Sequence, residues 1–143
     1  MSKEPIIVVD GKEVYDFLRG RCQASKCRVT PQTRVVYNFL QLRKTKEIHP
    51  TAEEIHLAVK EELPDITLAA VYAILRKFKE MHILREINCG DGKARFDADF
   101  RSHHHLWDDK KGTLENVRLL KRIPIPKLLA KRGVREIRVM YVI

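Results

Sequence analysis

Long apolar runs are missing from this sequence. Nothing approaches the roughly 20 consecutive apolar residues that span a bilayer, and Ile6-Ile7-Val8-Val9 is too short and too close to acids to be a signal-peptide core. The expectation is a cytoplasmic protein with no membrane partner. Cysteine is also scarce: Cys22, Cys27 and Cys89 are three in number, and no Cys-x-x-Cys pair occurs. An odd, sparse set excludes a disulfide framework and speaks against a thiolate zinc knuckle, so Cys22 and Cys27 are read as plain thiols. No Ser/His/Asp ordering, phosphate-cradling glycine loop or His-x-x-x-His helix with a glutamate is present, and an enzyme is not expected. Acid is in deficit, with 19 Asp+Glu against 28 Lys+Arg and a net charge of +9. That balance favours a polyanionic partner, of which nucleic acid is the commonest.

The 143 residues, 44% of them apolar, suffice for one or two small domains. Asp10 can cap a helix running to about Ser25. Thr30-Pro31 starts a second one, with Val35, Val36, Phe39 and Leu40 as its buried stripe. Thr51 and Glu54 form a capping box for a third, carried by Ile55, Leu57, Ala58 and Val59 to about Glu62. Thr67 caps a fourth, whose apolar set is Val71, Ile74, Leu75 and Phe78, with Arg76, Lys77 and Lys79 outside it. Then the period changes. Ile83–Ile87 and Lys93–Asp97 read as strands around a tight Gly90-Asp91-Gly92 turn. Helices followed by a hairpin make a winged helix-turn-helix, in which the helix before the wing enters the major groove.

The fold class is therefore α+β: a DNA-binding half at about residues 1–92 and a small α/β dimerisation domain at 93–143. The second half holds strands at His103–Trp107, Gly112–Val117 and Arg135–Ile143, with a short helix at Pro126–Arg132 ended by Gly133. Some fifty residues cannot easily bury a core alone, so a second copy is expected as partner.

One cluster carries candidate chemistry. Strand alternation points His103 and His105 to one face and His104 to the other. Asp97 can add a hard oxygen and His49 a third nitrogen from the other half. A nitrogen/oxygen set without thiolate suits Fe(II), Mn(II), Zn(II) or Co(II). The same residues also fit a solvated histidine run beside an ordinary loop histidine, and spacing leaves both readings open.

Four stretches together resemble the ferric uptake regulator family: Arg28-Val29-Thr30-Pro31-Gln32, His49-Pro50-Thr51-Ala52-Glu53-Glu54-Ile55, Pro64-Asp65-Ile66-Thr67-Leu68-Ala69-Ala70-Val71-Tyr72, and Ala94-Arg95-Phe96-Asp97 followed by His103-His104-His105-Leu106. Their order and spacing agree over about residues 22–117. Asp97, in place of glutamate, looks more like the peroxide-stress regulators than the iron-uptake ones. The resemblance implies a homodimeric, metal-activated repressor reading a palindromic double-stranded DNA operator. One regulatory divalent ion per subunit, Fe(II) or Mn(II) with Zn(II) possible in vitro, would sit on His49, Asp97, His103 and His105. Tyr72 would read DNA from the recognition helix, with Thr67, Arg76 and Lys77 beside it. In the peroxide-sensing branch, bound Fe(II) reacts with peroxide and oxidises a ligand histidine.

The chain also departs from the family pattern. Asp108 and Lys111 stand where a structural-zinc Cys-x-x-Cys pair is usual, so no structural zinc is expected. The family's fifth regulatory ligand falls on Asn116, with Glu115 adjacent on the opposite face of its strand unless the register slips by one. Ala69-Ala70-Val71-Tyr72-Ala73 lacks a hydroxyl and a cation usual on the recognition helix. Two other readings stay in view: a constitutive DNA-binding protein of this fold that no longer senses metal, and a metal buffer.

Overall fold

A computed structural model describes residues 20, 28–45, 48–99, 101, 103–135 and 137–143. The helix expected over residues 10–25 lies, apart from Gly20, outside the described residues, as do Cys22 and Cys27. The chain divides into two compact units, Met1–Asp99 and Phe100–Ile143. The boundary falls seven residues beyond the expected residue 92. The physical reason is strand pairing: the returning strand of the wing bonds to its partner and so belongs with the first unit.

In the first unit, α1 (Pro31–Thr45) starts where proline follows a capping threonine, and Thr30 Oγ1 accepts from the Thr33 N–H at 3.2 Å. The capping box of α2 (Ala52–Val59) is fully formed: Thr51 Oγ1 accepts from the Glu54 N–H at 3.3 Å, and Glu54 Oε2 accepts from the Thr51 N–H at 2.8 Å. Helix α3 (Leu68–Glu80) is capped by Thr67 and buries Val71, Ile74, Leu75 and Phe78. It ends in a Schellman motif, with the Ile83 N–H on the Phe78 carbonyl at 3.1 Å and the His82 N–H on the Lys79 carbonyl at 3.0 Å. His82 holds the left-handed position of that motif at φ 57°.

The three helices enclose one core with Val36, Leu40, Ile55, Val59, Ile66 and Phe96 at its centre. Leu57 is not part of it. Expected to help carry α2 inward, it is 70% exposed, because α2 is short and Ala52, Ile55 and Val59 already define its buried side. The wing is an antiparallel pair, β1 (Arg85–Asn88) with β2 (Ala94–Asp97), in the register Asn88↔Ala94. Its connection is a five-residue loop, not the tight turn expected. Gly90 (φ 83°) and Gly92 (φ 80°) take left-handed conformations there. Asp91 receives both terminal guanidinium nitrogens of Arg95, at 3.1 and 2.8 Å, which brings its carboxyl down to about 2.

The second unit is a three-stranded sheet in the order β4 (Thr113–Val117), β3 (His104–Asp108), β5 (Met140–Val142), with a five-residue helix α4 (Lys127–Lys131) between β4 and β5. Strands β3 and β4 are antiparallel; β3 and β5 are parallel. The strand expected over 135–143 is shorter than predicted. Trp107 is the one buried apolar side chain among the described residues of this unit, and His103, His104 and His105 are the other buried ones. No described helix is long and apolar enough to cross a membrane.

Candidate metal centre

In the first unit, His49 and Asp97 are brought together by backbone pairing. The Phe96 N–H donates to the Pro50 carbonyl at 2.9 Å, and Thr51 bridges Arg95. The loop entering α2 therefore lies along β2, and His49 Nε2 comes to 3.9 Å from Asp97 Oδ2. Both residues are buried. The other carboxylate oxygen, Oδ1, accepts the Asp99 N–H at 2.8 Å, which fixes the orientation of the group. A gap of 3.9 Å is too long for a hydrogen bond. It is within the span of about 4.2 Å that two ligand atoms can keep at about 2.1 Å each from one ion.

In the second unit, His103 Nε2 and His105 Nε2 converge to 3.2 Å, both side chains buried. Two imidazole nitrogens at about 2.1 Å from one transition-metal ion lie about 3.0–3.4 Å apart for bond angles between octahedral and tetrahedral. The tautomer of His103 follows from its other nitrogen. Nδ1 lies 2.7 Å from the Arg101 carbonyl, which can only accept, so Nδ1 carries the proton and Nε2 presents its lone pair. Arg138 also donates to that carbonyl, at 3.3 Å.

His104 points away from this pair, as alternation predicts. It is not an idle residue: its Nδ1 accepts the Val139 N–H at 3.0 Å and its ring meets Tyr141 edge-on, tying β3 to the chain entering β5.

The ladder places Asn116 directly across from His105 and Glu115 across from Leu106. Cross-strand partners share a face. Asn116 thus stands beside His105, and Glu115 projects to solvent. Both amide atoms of Asn116 are buried with no hydrogen-bond partner among the described residues. Such an orphan amide fits a neutral oxygen ligand, and beside the two imidazoles of this unit it makes a nitrogen/oxygen pair of donor types that suits a borderline-to-hard divalent ion.

The DNA-reading candidates lie on the exposed side of α3. Arg76 and Lys77 are exposed, and Thr67 is an exposed cap. Tyr72 is 43% exposed, and its hydroxyl donates to Glu53 of α2 at 2.9 Å. In the sequence Glu53 is marked only as part of a helix start. Nothing in the pattern signals its contact with Tyr72, which depends on how α2 crosses α3. The hydrogen bonds of Glu53, first to backbone and then to Tyr72, hold its carboxyl below the usual range. Where the family pattern has a zinc thiolate pair, Asp108 instead accepts the N–H groups of Lys110 and Lys111 at 3.1 and 3.0 Å.

Residues 24–138 match the Ferric uptake regulator family. The chain is 36% identical over 87 residues to the peroxide-responsive repressor of Staphylococcus epidermidis, covering 61% of this chain and 56% of that protein. It thus spans a little over half the length of such relatives. Among solved structures, its fold is similar to the Helicobacter pylori ferric uptake regulator, with a TM-score of 0.67 at 14% identity over 94% of this chain and 91% of that one. It is similar too to the Campylobacter jejuni peroxide stress regulator, with a TM-score of 0.62 at 24% identity over 90% and 93%. At such identities these likenesses establish the fold, a winged helix followed by a dimerisation domain, and the sequence match establishes the lineage. The chain belongs to the ferric uptake regulator family, whose members are metal-responsive transcriptional regulators and not enzymes.

Proposed function

We propose that this chain is a homodimeric, metal-dependent repressor of peroxide-stress or metal-homeostasis genes, acting in the cytoplasm. His49, Asp97, His103, His105 and Asn116 would hold one regulatory Fe(II) or Mn(II) per subunit. The observation that carries this reading is the 3.2 Å convergence of two buried imidazole nitrogens, one with its tautomer fixed by a backbone carbonyl. The name of the Staphylococcus relatives, peroxide-responsive repressor, supports the direction of regulation.

The ligands fall in both units: His49 and Asp97 in residues 1–99, the rest in 100–143. Six residues of chain from Asp97 to His103 reach at most about 20 Å, so the two pairs are tethered at high local concentration. Ligation by all of them at once would fix the DNA-reading unit against the dimerising one. The spacing of two recognition helices would then match half-sites about one helical turn apart. Moving such an equilibrium from 1:99 to 99:1 requires about 5.5 kcal/mol of differential affinity, which a multidentate site can supply. These ligands would hold a divalent ion, whose charge would draw them together and which, as Fe(II), would supply redox chemistry toward peroxide.

Thr67, Tyr72, Arg76 and Lys77 would face operator DNA. Homodimerisation is supported by the second unit's own composition, a single buried apolar residue among its described residues against exposed Leu119, Leu120, Tyr141, Val142 and Ile143. No structural zinc is proposed, since Asp108 holds its turn by accepting two backbone N–H groups. Titration of Mn(II) into the metal-free protein, followed by electron paramagnetic resonance, tests the site. One ion per subunit is expected, weakened at least tenfold by His49→Ala and by His105→Ala. Binding indifferent to both substitutions would overturn the assignment.

A further inference from the structure

Most of the chain's net positive charge lies outside the unit that carries the DNA-reading helix. Residues 1–99 hold 17 Lys+Arg against 15 Asp+Glu, whereas residues 100–143 hold 11 against 4. Of the surplus of nine charges, seven therefore sit in the second unit. They concentrate further. From residue 121 to 135 the chain carries Lys121, Arg122, Lys127, Lys131, Arg132 and Arg135, with no acidic residue, and all six are exposed. Lys127 and Lys131 stand at i and i+4 on α4, where like charges repel, and α4 has no acid in its first turn to offset them. A short helix that keeps such a pair is held at a cost that a bound polyanion removes.

We infer that residues 121–135 form a second, sequence-independent binding surface for the phosphates of double-stranded DNA, distinct from the recognition helix. The partner chemistry follows from the segment's form. Insertion at a lipid surface requires a sizeable amphipathic helix, and here α4 has five residues and the approach to it is interrupted by Pro124 and Pro126. A row of cations on irregular backbone instead matches a duplex bearing one negative charge per roughly 1.7 Å of axis. In a homodimer the surface occurs twice. The inference takes the nature of the polyanion from the DNA-binding reading, but the affinity it describes needs neither metal nor Tyr72.

The test uses the full-length protein, a fluorescent duplex of unrelated sequence, and salt varied from 50 to 200 mM. Replacing four cations (K121Q, R122Q, K131Q and R132Q) is expected to reduce the slope of log affinity against log salt by about 2–3.5. The loss should be the same with chelator or with Mn(II). Because all four side chains are exposed, the two paired variants K121Q/R122Q and K131Q/R132Q, each expected to show about half the change, serve if the fourfold variant does not fold. An unchanged slope would mean a solvated basic face and overturn the inference. So would an unchanged slope with lost binding to vesicles of phosphatidylserine and phosphatidylcholine, which would make the surface a lipid-docking one. Loss of metal-dependent operator recognition alone would bear on the proposed function and leave this surface standing.

Discussion

Asn116 makes opposite demands with and without a ligand, and that can be measured. It lies across the ladder from His105, and its amide nitrogen and oxygen are both buried with no hydrogen-bond partner among the described residues. An unsatisfied buried polar group costs about 1–3 kcal/mol. Asn116→Leu, of the same branching but larger, removes both groups and should stabilise the metal-free protein by about 1–3 kcal/mol, after an overpacking cost of about 1–3 kcal/mol. At roughly 2–4 °C per kcal/mol, the melting temperature in chelator should rise by several degrees. The same substitution deletes an oxygen ligand. If metal affinity falls tenfold, the stabilisation gained at a fixed, saturating Mn(II) concentration shrinks by about 1.4 kcal/mol. Thermal unfolding of both proteins, with chelator and with excess Mn(II), gives all four values. A variant less stable than wild type in chelator would refute the orphan-amide reasoning, and an undiminished Mn(II) increment would refute Asn116 as a ligand.

His82→Gly should stabilise the first unit by about 0.5–1 kcal/mol, because φ 57° at the end of α3 strains any residue with a Cβ; a lower denaturation midpoint would contradict this. Burial, outweighing the pull of Arg95, lifts the Cys89 thiol above its ordinary range. At neutral pH the thiol therefore stays protonated and reacts slowly. Iodoacetamide should label it more slowly in the native protein than in the unfolded chain, and Cys89→Ser should keep any peroxide response; loss of that response would place sensing on the thiol. Strong chelation should leave the proposed dimer assembled, as seen by light scattering, because Asp108 closes the β3–β4 turn with two backbone hydrogen bonds where a zinc ligand is usual; dissociation would reveal a structural metal.

The elements were legible where local chemistry decides them. Thr30-Pro31, the Thr51/Glu54 box and the Thr67 cap each mark a helix start that a few residues suffice to specify, and the apolar stripe of α3 is one helical period repeated. What escaped depends on distant partners. Leu57 looks inward-facing until α2 proves too short to bury a second side. The wing's strand β2 reads as the start of a new half until its pairing with β1 assigns it to the first. The five-residue loop between them follows from the register Asn88↔Ala94, which sequence cannot fix. Strand β5 pairs parallel with β3 across more than thirty residues, a contact with no local signal. For the proposed metal centre, residue types and alternation were enough to put His103 and His105 on one face and His104 on the other. That Asn116, and not Glu115, stands across from His105 needed the ladder.

Metal binding and DNA binding should be coupled, and four titrations measure that coupling. A duplex selected from a random pool by the Mn(II)-loaded protein would be titrated with wild type and with His49→Ala, each in Mn(II) and in chelator. Chelation is expected to weaken wild-type binding by at least a hundredfold, and His49→Ala to bind weakly in both conditions with the salt dependence of unrelated DNA. Wild-type affinity unchanged by chelation, with His49→Ala its equal, would contradict the coupling and leave a constitutive DNA-binding protein on this fold.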